Sequence, residues 1–388
     1  MPDRVTRKPN LRGMTRKAWV WASLLAWITP APICRAVVLQ PDGYHVYPGD
    51  NIQDALQQAA ANATNKLIKV HAGEYRPANK RQALIWFNHA HDGIHLEAVG
   101  QVTLTAANPE LGTTNAPGFP AIVNHVVYFG NGISSNTVLR GFRITGANNY
   151  VSDKLTRQME PDNTVPKNLF FYTDGGGIKI FGRSYPTLQD LEVVDNYSSP
   201  CGAGVSVQHQ GHNQQMVTIE NCHFVRNRAQ VTGSAVDLLE GSSAQIINCL
   251  FVGNASNQGI DVVAKHSGEC AFTNSGVLTI FQNSRALVKN CTFTGNRNAV
   301  DDMGGQSTYI DSIFADNSLP GGMPGERYEL DFPVGATVRN CRIRGRILDP
   351  RHAVSGNENI LDAPPARFSQ SFTTSTADYL GVGFDPKR

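Results

Sequence analysis

Short apolar segments alternate with Gly, Asn and Asp along most of the chain, and one phrase recurs among them. Its clearest copies read Asn-Cys-x-Phe or Asn-Cys-x-Ile and begin at Asn221, Asn248, Asn290 and Asn340. A degenerate copy begins at Asp311, and in all but the last copy another Asn follows six residues after the start. Each copy predicts a short strand and a turn, and a unit of that size cannot bury its apolar face alone. The pattern therefore predicts a stack of coils.

The position after the leading Asn defines a set of small residues. It holds Cys222, Cys249, Cys291 and Cys341, with Ser312 in the degenerate copy. We expect these side chains to point inward and stack as packing residues, because parallel Cβ vectors are poorly placed for disulfide bridges. Cys201 and Cys270 lie outside the phrase and could pair with each other.

A helical pattern in residues 51–61 marks the start of the stack. Ile52, Ala55 and Leu56 share one face, and Asn51 can cap the first turn. A helix at the open end of a stack covers unpaired strand edges. The predicted segments are a leader at 1–36, an N-terminal cap at 37–64 that includes the helix, stacked coils at 65–347, and a C-terminal cap or tail at 348–388.

Residues 1–36 have the order of a secretory signal. A basic start is followed by an apolar run over 18–28 and by the small residue Ala36. The run is too short to span a membrane, and no later segment is long and apolar enough to do so. We expect cleavage near Ala36 and a location outside the cell or at its surface.

Composition narrows the class of protein further. The 36 Gly residues fit a chain with many turns, and the formal net charge is +2. Without residues 1–36, the chain has 27 basic and 31 acidic residues. Because no basic stripe remains, nucleic acid is not an expected partner.

Three parts of the sequence resemble right-handed parallel β-helix repeat proteins of the pectin-lyase-like superfamily: the Asn-Cys-x-Phe-x-x-Asn coils, the segment 51–56 leading to 70–75, and the segment 136–144. The C-terminal part from 311 onward is similar to a secreted bacterial branch. The resemblance implies an all-β fold, a single right-handed parallel β-helix or solenoid with an N-terminal capping helix. It does not fix a function, because the superfamily includes lyases, hydrolases, epimerases and non-catalytic surface proteins.

Each coil also carries a second strand, whose side chains must alternate between the two faces. Aligning the inward Ile and Val residues of these strands predicts a column of residues on the outward face. The column is Lys179, Ser206, Asp237, Asp261 and Asp301, with Glu329 or Asp331 near the same line. We expect it to project into solvent.

Carboxylates on successive coils would lie ~5 Å apart, and like charges directly opposite one another destabilise a sheet. A hard cation such as Ca²⁺ could offset the repulsion by binding Asp237, Asp261 and Asp301. A raised pKa on one member would instead give a general acid beside a general base. The competing interpretation is structural, because Asp at a strand end often bonds to turn amides.

The resemblance implies two chemistries for such a face. Lyases of the superfamily neutralise a uronate with carboxylates and calcium before a Lys or Arg removes a proton. Lys179, Lys265 and Arg228 are candidates for that base, and no motif selects among them. Its hydrolases use paired aspartates, for which Asp261, Asp301 and Asp302 are candidates. The hydrolase pattern is incomplete here, because Gly211-His212 precedes Asp301 rather than following it.

Aromatic residues near Lys179 are candidates for stacking on sugar rings. Tyr150, Tyr172 and Tyr197 lie in or near the long predicted loops, and His209 lies in a turn rich in Gln and Gly. For His209 a solvated turn is the competing interpretation.

Two functions follow from these observations. The first is a secreted, monomeric protein that binds an acidic extracellular polysaccharide, with or without cleaving it by lyase-like or glycoside-hydrolase-like chemistry. The second is a non-catalytic cell-surface or matrix protein, structural or adhesive, in which the stack is a rigid rod. The Asp column favours the first function, and the incomplete catalytic pattern favours the second.

Overall fold

Parallel strand pairing dominates the computed structural model of the chain. Its described residues are 37–78, 81–109, 121–148, 174–198, 201–259, 275–374 and 376–388, and they belong to one compact unit, Arg35–Arg388. Among the strands of these ranges, the hairpin of Val38–Gln40 and Gly43–Val46 is antiparallel, and the other pairs are parallel. The predicted all-β stack is therefore confirmed.

The described strands form three sheets. The large sheet contains Val38–Gln40, Gly43–Val46, Leu67–Tyr75, His95–Thr105, Val138–Thr145, Thr187–Gln189, Glu192–Val194, Val217–Glu220, His223–Val225, Ser243–Ile247, Leu250–Val252, Arg285–Lys289, Thr292–Thr294, Thr308–Ile310, Ile313–Ala315, Thr337–Arg339, Arg342–Arg344 and Ile360–Leu361. The second sheet, called the site sheet below, contains Arg81–Phe87, Val123–Phe129, Ile178–Phe181, Val205–Gln208, Val236–Leu238, Leu278–Ile280, Val300–Asp302, Leu330–Asp331 and Ile347–Leu348. A small sheet pairs Tyr197–Ser198 with Arg228–Ala229.

The cap helix is Ile52–Ala61, as the sequence pattern predicts. The Asn51 side chain accepts a hydrogen bond from Gln53 N at 3.0 Å, which satisfies one free amide of the first turn. Gln53 in turn joins the helix to the site sheet, because its side chain exchanges two hydrogen bonds with the main chain of Trp86. The apolar face of the helix is buried in the main core.

Left-handed residues set the corners of the repeat. In the copy that begins at Asn221, that residue has φ +54°, the strand His223–Val225 follows, and Arg226 returns to φ +54°. The same two positions have positive φ in the copies that begin at Asn248 and Asn290. Asn and Gly tolerate this conformation better than most residues, so the leading Asn is a backbone requirement of the turn.

The interior behind this corner is built from ladders of identical side chains. The four cysteines of the phrase and Ser312 are fully buried, and none of the five described cysteines forms a disulfide. The following apolar position stacks Phe224, Phe251, Phe293 and Phe314, with successive ring centroids 5.0, 4.1 and 5.0 Å apart. The inward prediction for the cysteines is confirmed.

A third ladder consists of buried asparagines: Asn196, Asn227, Asn254, Asn296 and Asn317. Each of the first four donates its side-chain amide to the carbonyl oxygen of the next, at 3.1, 3.0, 3.0 and 2.7 Å. The next copy has Arg346 at this position. The side chain of Glu329 instead accepts the hydrogen bonds that Asn317 donates. The second Asn of the repeat is therefore an internal hydrogen-bonding residue.

The C-terminal tail lies along the outside of the coils. Gly383 N donates to Asp311 O at 2.7 Å, Phe384 N donates to Thr292 Oγ1 at 2.9 Å, and Asp385 N donates to Asn248 Oδ1 at 2.8 Å. Tyr379, Val382 and Phe384 are buried there. Residues 383–385 thus cross three coils near their left-handed corners, so this part of the predicted cap or tail lies along the side of the stack.

Candidate functional site

The outer face of the site sheet carries the predicted column, with a different residue at one of its positions. Strand pairing aligns Lys179 with Ser206, Ser206 with Asp237, Asp237 with Thr279, Thr279 with Asp301, and Asp301 with Asp331. We call this set, Lys179, Ser206, Asp237, Thr279, Asp301 and Asp331, the column. Asp331 takes the place that the sequence assigned to Glu329 or Asp331.

Thr279 occupies the position expected for Asp261. The strand that pairs with Val236–Leu238 is Leu278–Ile280, and Asp261 lies outside the described residues. Asp237 and Asp301 are therefore two strand spacings apart, ~9.6 Å along the stack. The sequence analysis expected Asp237, Asp261 and Asp301 to lie on consecutive coils and to share a calcium ion. This register corrects that expectation, because the residue between Asp237 and Asp301 is Thr279, which is not a carboxylate.

The column is also buried, which corrects the expectation that it projects into solvent. Its first four members are fully buried, and exposure rises only to 4% at Asp301 and 7% at Asp331. Among the described residues of the column, therefore, only Asp301 and Asp331 have any contact with solvent. Burial raises the cost of every unpaired charge on this face.

Lys179 lies in an ion pair at the other end of the column. Its ammonium contacts Asp174 and donates to Ser206 Oγ at 3.2 Å, and Ser206 donates to the same Asp174 oxygen. Burial raises the pKa of Asp174, and the charge of Lys179 and the two hydrogen bonds counter this shift. Lys179 lies four strand spacings, ~19 Å, from Asp301, so the two proposed catalytic residues cannot act on the same bond.

Asp301 and Asp331 are direct neighbours on adjacent strands. The pKa of Asp301 is raised well above its usual range by burial first, and then by the charges of Asp331 and Asp302. The pKa of the nearby Tyr328 hydroxyl is raised by burial and then by the charges of Asp301 and Asp331. The raised pKa favours a proton on Asp301, which relieves its repulsion from the neighbouring Asp331.

Asp302 belongs to a turn. Its side chain points to the opposite face of the strand from Asp301 and accepts hydrogen bonds from Tyr309 Oη at 2.8 Å, Gly304 N at 2.9 Å and Gly305 N at 3.3 Å. It is fully buried. These contacts correct its assignment as a catalytic partner of Asp301 and support the turn-bonding interpretation for this one aspartate.

His209 is a core residue, which corrects its assignment to substrate binding. It is fully buried, its Nε2 lies 3.0 Å from Ser184 O, and its Nδ1 accepts from Ser243 N at 3.3 Å. Burial lowers its pKa to about 4. Tyr197 is partly exposed on the small sheet and its hydroxyl contacts Gln230, whereas Tyr150 and Tyr172 lie outside the described residues.

The structure adds two residues to this face: Asp174, which the sequence analysis missed, and Cys201, which it considered only as a disulfide partner of Cys270. Asp174 and Cys201 converge with Asp237, and one ligand atom of each lies within 4.8 Å of the others. Asp301, Asp302 and Asp331 do not form such a group among the described residues. A repeated spacing could have revealed the two, because Asp174-Gly175, Cys201-Gly202 and Thr232-Gly233 each begin five residues before a column member.

Comparison with known proteins agrees with this architecture. Residues 92–277 match the family model described as right handed beta helix region. Together with the stacked parallel strands, this match gives the chain the fold of a right-handed parallel β-helix. A search of curated proteins finds no match. Among the described residues, no helix is long and apolar enough to cross a membrane.

Solved structures similar to the chain include catalytic domains of GH87 alpha-1,3-glucanase. The D1069A variant in complex with tetrasaccharides has 12% sequence identity and a TM-score of 0.32. The same variant with nigerose and the catalytic domain without that substitution, also with nigerose, each have 12% identity and a TM-score of 0.25. Each alignment covers 84% of this chain and 69% of the other.

Proposed function

We propose that this protein binds and hydrolyses a polysaccharide, with Asp301 as general acid and Asp331 as its carboxylate partner. The observation that carries the proposal is the register of these two residues, which brings two carboxyl groups side by side at the more exposed end of the column. The raised pKa of Asp301 supports its role as the proton donor. Two carboxyl groups with separated protonation states are what glycoside hydrolysis needs.

In this reaction Asp301 donates its proton to the glycosidic oxygen as the bond to the anomeric carbon breaks. Asp331 either attacks that carbon or takes a proton from the attacking water. Water is consumed overall, with its proton on the leaving sugar and its hydroxyl on the anomeric carbon. Tyr328 is a candidate for orienting the pair, because the charges of both Asp301 and Asp331 contribute to the raised pKa of its hydroxyl.

Hydrolysis fits the geometry better than elimination. A lyase base must be free to take a proton, whereas Lys179 is buried in an ion pair with Asp174 and lies far from Asp301. The separated carboxylates Asp237 and Asp301 also provide no shared calcium site for a uronate. We therefore propose a neutral polysaccharide as the first substrate class to test and an acidic one as the second.

The test is turnover on a panel of neutral and uronate polysaccharides, read in parallel as new reducing ends and as ultraviolet absorbance of unsaturated products. We expect reducing ends without absorbance, and a loss of ~10²-fold or more in Asp301→Asn and Asp331→Asn. Asp362→Asn, at an exposed turn residue with φ +53°, is the matched control and should keep wild-type rates. Unsaturated products that require Lys179 would show lyase chemistry instead.

A rigid scaffold without catalysis is the second candidate function. The observation in its favour is the full burial of Lys179, Ser206, Asp237 and Thr279, together with the Phe and Asn ladders that run through the coils. This function predicts no turnover on the panel. It also predicts that folded Asp301→Asn binds any retained glycan as tightly as wild type does.

The site of action that we propose is outside the cell, after removal of residues 1–36. The basic, apolar and small-residue order of that segment supports the proposal. Expression in a bacterial host should give a mature protein that begins near Val37, measured by N-terminal sequencing. A cytoplasmic protein with an intact leader would contradict it.

A further inference from the structure

Three side chains of types that bind metal ions, Asp174, Cys201 and the column residue Asp237, lie close together near Lys179. Asp174 and Cys201 occupy equivalent positions before two neighbouring strands of the site sheet, and Asp237 lies on the strand after them. One oxygen or sulfur atom of each residue lies within 4.8 Å of the other two. Asp174 and Asp237 are fully buried and Cys201 is nearly so. This spacing fits the shell of a single ion.

A second observation concerns the oxygens of Asp174. Oδ2 accepts hydrogen bonds from Lys179 and Ser206, whereas Oδ1 makes no hydrogen bond within the described residues. An orphaned oxygen on a fully buried carboxylate is costly, because it has lost its water without gaining a partner. A cation bound to Oδ1 would satisfy this oxygen and leave the Lys179 contact at Oδ2 in place.

Charge balance also accommodates an ion. Lys179 and the two carboxylates together carry a net charge of −1 when all are ionised. A divalent cation that displaces the Cys201 proton brings the group to zero, with every side chain in an ordinary charge state. Lys179 then pairs with Asp174 from outside the ligand shell, as an outer partner that orients a ligand.

The ligand set selects the class of metal. Calcium and magnesium take oxygen ligands, whereas a thiolate favours zinc and other thiophilic transition metals. Three protein ligands would leave a fourth position open in a tetrahedral shell. Glycine at 233, with φ +56°, makes room for the carboxylate, since a Cβ there would collide with Asp237 Oδ1. We propose that Asp174, Cys201 and Asp237 bind a thiophilic divalent cation of the Zn²⁺ class.

The test uses the full chain, first treated with a chelator and then titrated with Co²⁺ as a spectroscopic probe for Zn²⁺. Replacing Cys34 and Cys270 by Ser in every sample removes the two cysteines that lie outside the described residues. We expect one equivalent of Co²⁺ to give a thiolate-to-cobalt charge-transfer band and visible tetrahedral bands, both lost when Zn²⁺ displaces it. Cys201→Ser should abolish the charge-transfer band, and Asp237→Asn should weaken binding by at least roughly tenfold.

Cys341→Ser is the matched control, because Ser312 shows that the ladder to which Cys341 belongs accepts a serine. It should keep the cobalt bands. A second readout needs no further substitution: Zn²⁺ should raise the melting temperature of the protein with Cys34 and Cys270 replaced above that of its chelated form, because it binds the folded form. If this parent protein is folded and shows neither cobalt bands nor a zinc-dependent shift, the proposal is overturned, as it is by a charge-transfer band that survives Cys201→Ser.

Discussion

Glu329 ends the asparagine ladder by accepting two hydrogen bonds from Asn317, one from its main-chain amide at 3.0 Å and one from its side-chain amide. Gly345 packs against the same carboxylate, since a Cβ there would lie 2.5 Å from Glu329 Oε1. Burial raises the pKa of Glu329 to about 7, although the bonds from Asn317 oppose the shift. An ionisable group therefore closes a ladder that is otherwise built from neutral amides.

Glu329→Gln should make the protein more stable at alkaline pH. A carboxyl whose pKa is raised on folding contributes stability that is complete below the pKa of the unfolded chain and is lost as pH rises through about 7. The neutral amide still accepts from Asn317 and has no charge to bury. We expect variant and wild type to melt alike near pH 4 and the variant to melt higher at pH 8, by up to ~3 kcal/mol in unfolding free energy.

The control for that experiment is Glu240→Gln, at an exposed carboxylate that accepts from Asn283 at 3.1 Å. It should follow the wild-type pH profile. Equal pH profiles for Glu329→Gln and wild type would show that Glu329 does not titrate in this range.

Asp301→Asn should lose activity and gain stability. The pKa of Asp301 is raised by burial and by two neighbouring carboxylates, so its ionised form costs folding free energy as pH rises. Asn removes that cost and leaves the column packing in place. Urea denaturation at pH 5 and pH 8 should show a larger stabilisation at pH 8. A variant that is less stable at both pH values would mean that the Asp301 side chain has a structural role.

Asn254→Ala should be strongly destabilising. Asn254 Oδ1 accepts from the main-chain and side-chain amides of Asn227 at 2.9 and 3.0 Å, and its own amide donates to Phe224 O at 2.8 Å. Alanine removes these three hydrogen bonds and the one that Asn254 donates to Asn296, all between buried groups, at a cost of roughly 3 kcal/mol or more. Urea denaturation measures the loss, with Asn136→Ala at an exposed turn as the control. A cost below about 1 kcal/mol would mean that water replaces the rung.

The ladder thiols should react only when the protein unfolds. Cys249 is fully buried and its pKa is raised well above the usual range by burial, and burial raises the pKa of Cys341 to about 12. Both changes suppress the reactive thiolate. With Cys34 and Cys270 replaced by Ser, a disulfide reagent should modify no thiol in native buffer and five in denaturant. Rapid native labelling of Cys222, Cys249, Cys291 or Cys341, located by peptide mapping, would place that ladder cysteine at the surface.

Removal of residues 377–388 should lower the melting temperature by several degrees. The deletion removes the buried side chains of Tyr379, Val382 and Phe384 and uncovers Ile313. It also removes the hydrogen bonds to Thr292 and Asn248. Phe384→Ala should give a smaller effect of the same sign. An unchanged melting temperature in the deletion would show that the tail docks without stabilising the coils.

Most of the column could be predicted from the sequence, because alternation along a strand and an aligned apolar position fix the face of Lys179, Ser206, Asp237 and Asp301. The error at Asp261 has a physical reason. Ile260-Asp261-Val262 and Leu278-Thr279-Ile280 share the same apolar-polar-apolar pattern. Long-range pairing with Val236–Leu238 decides between them, and no local pattern contains that information.

Burial of the column could not be predicted in the same way. Alternation tells which face of a strand a side chain occupies, but it does not tell what packs over that face. The pairing of Lys179 with Asp174 and the approach of Cys201 to Asp237 depend on turns from neighbouring coils. Those turns are close in space only because the repeat brings residues 27 and 31 positions apart into register.

The left-handed residues that begin each copy have a consequence for how this chain can change its length. Five residues always separate them from the ladder Asn, as between Asn221 and Asn227 and between Asp311 and Asn317. The distance from one copy to the next instead varies from 21 to 42 residues. The segment of each coil between the leading left-handed residue and the ladder Asn thus does not accept insertions. Added segments are tolerated only in the rest of the coil. Foreign loops grafted elsewhere on a coil should therefore leave the ladders in register, whereas one residue added inside this corner would shift a strand to the wrong face.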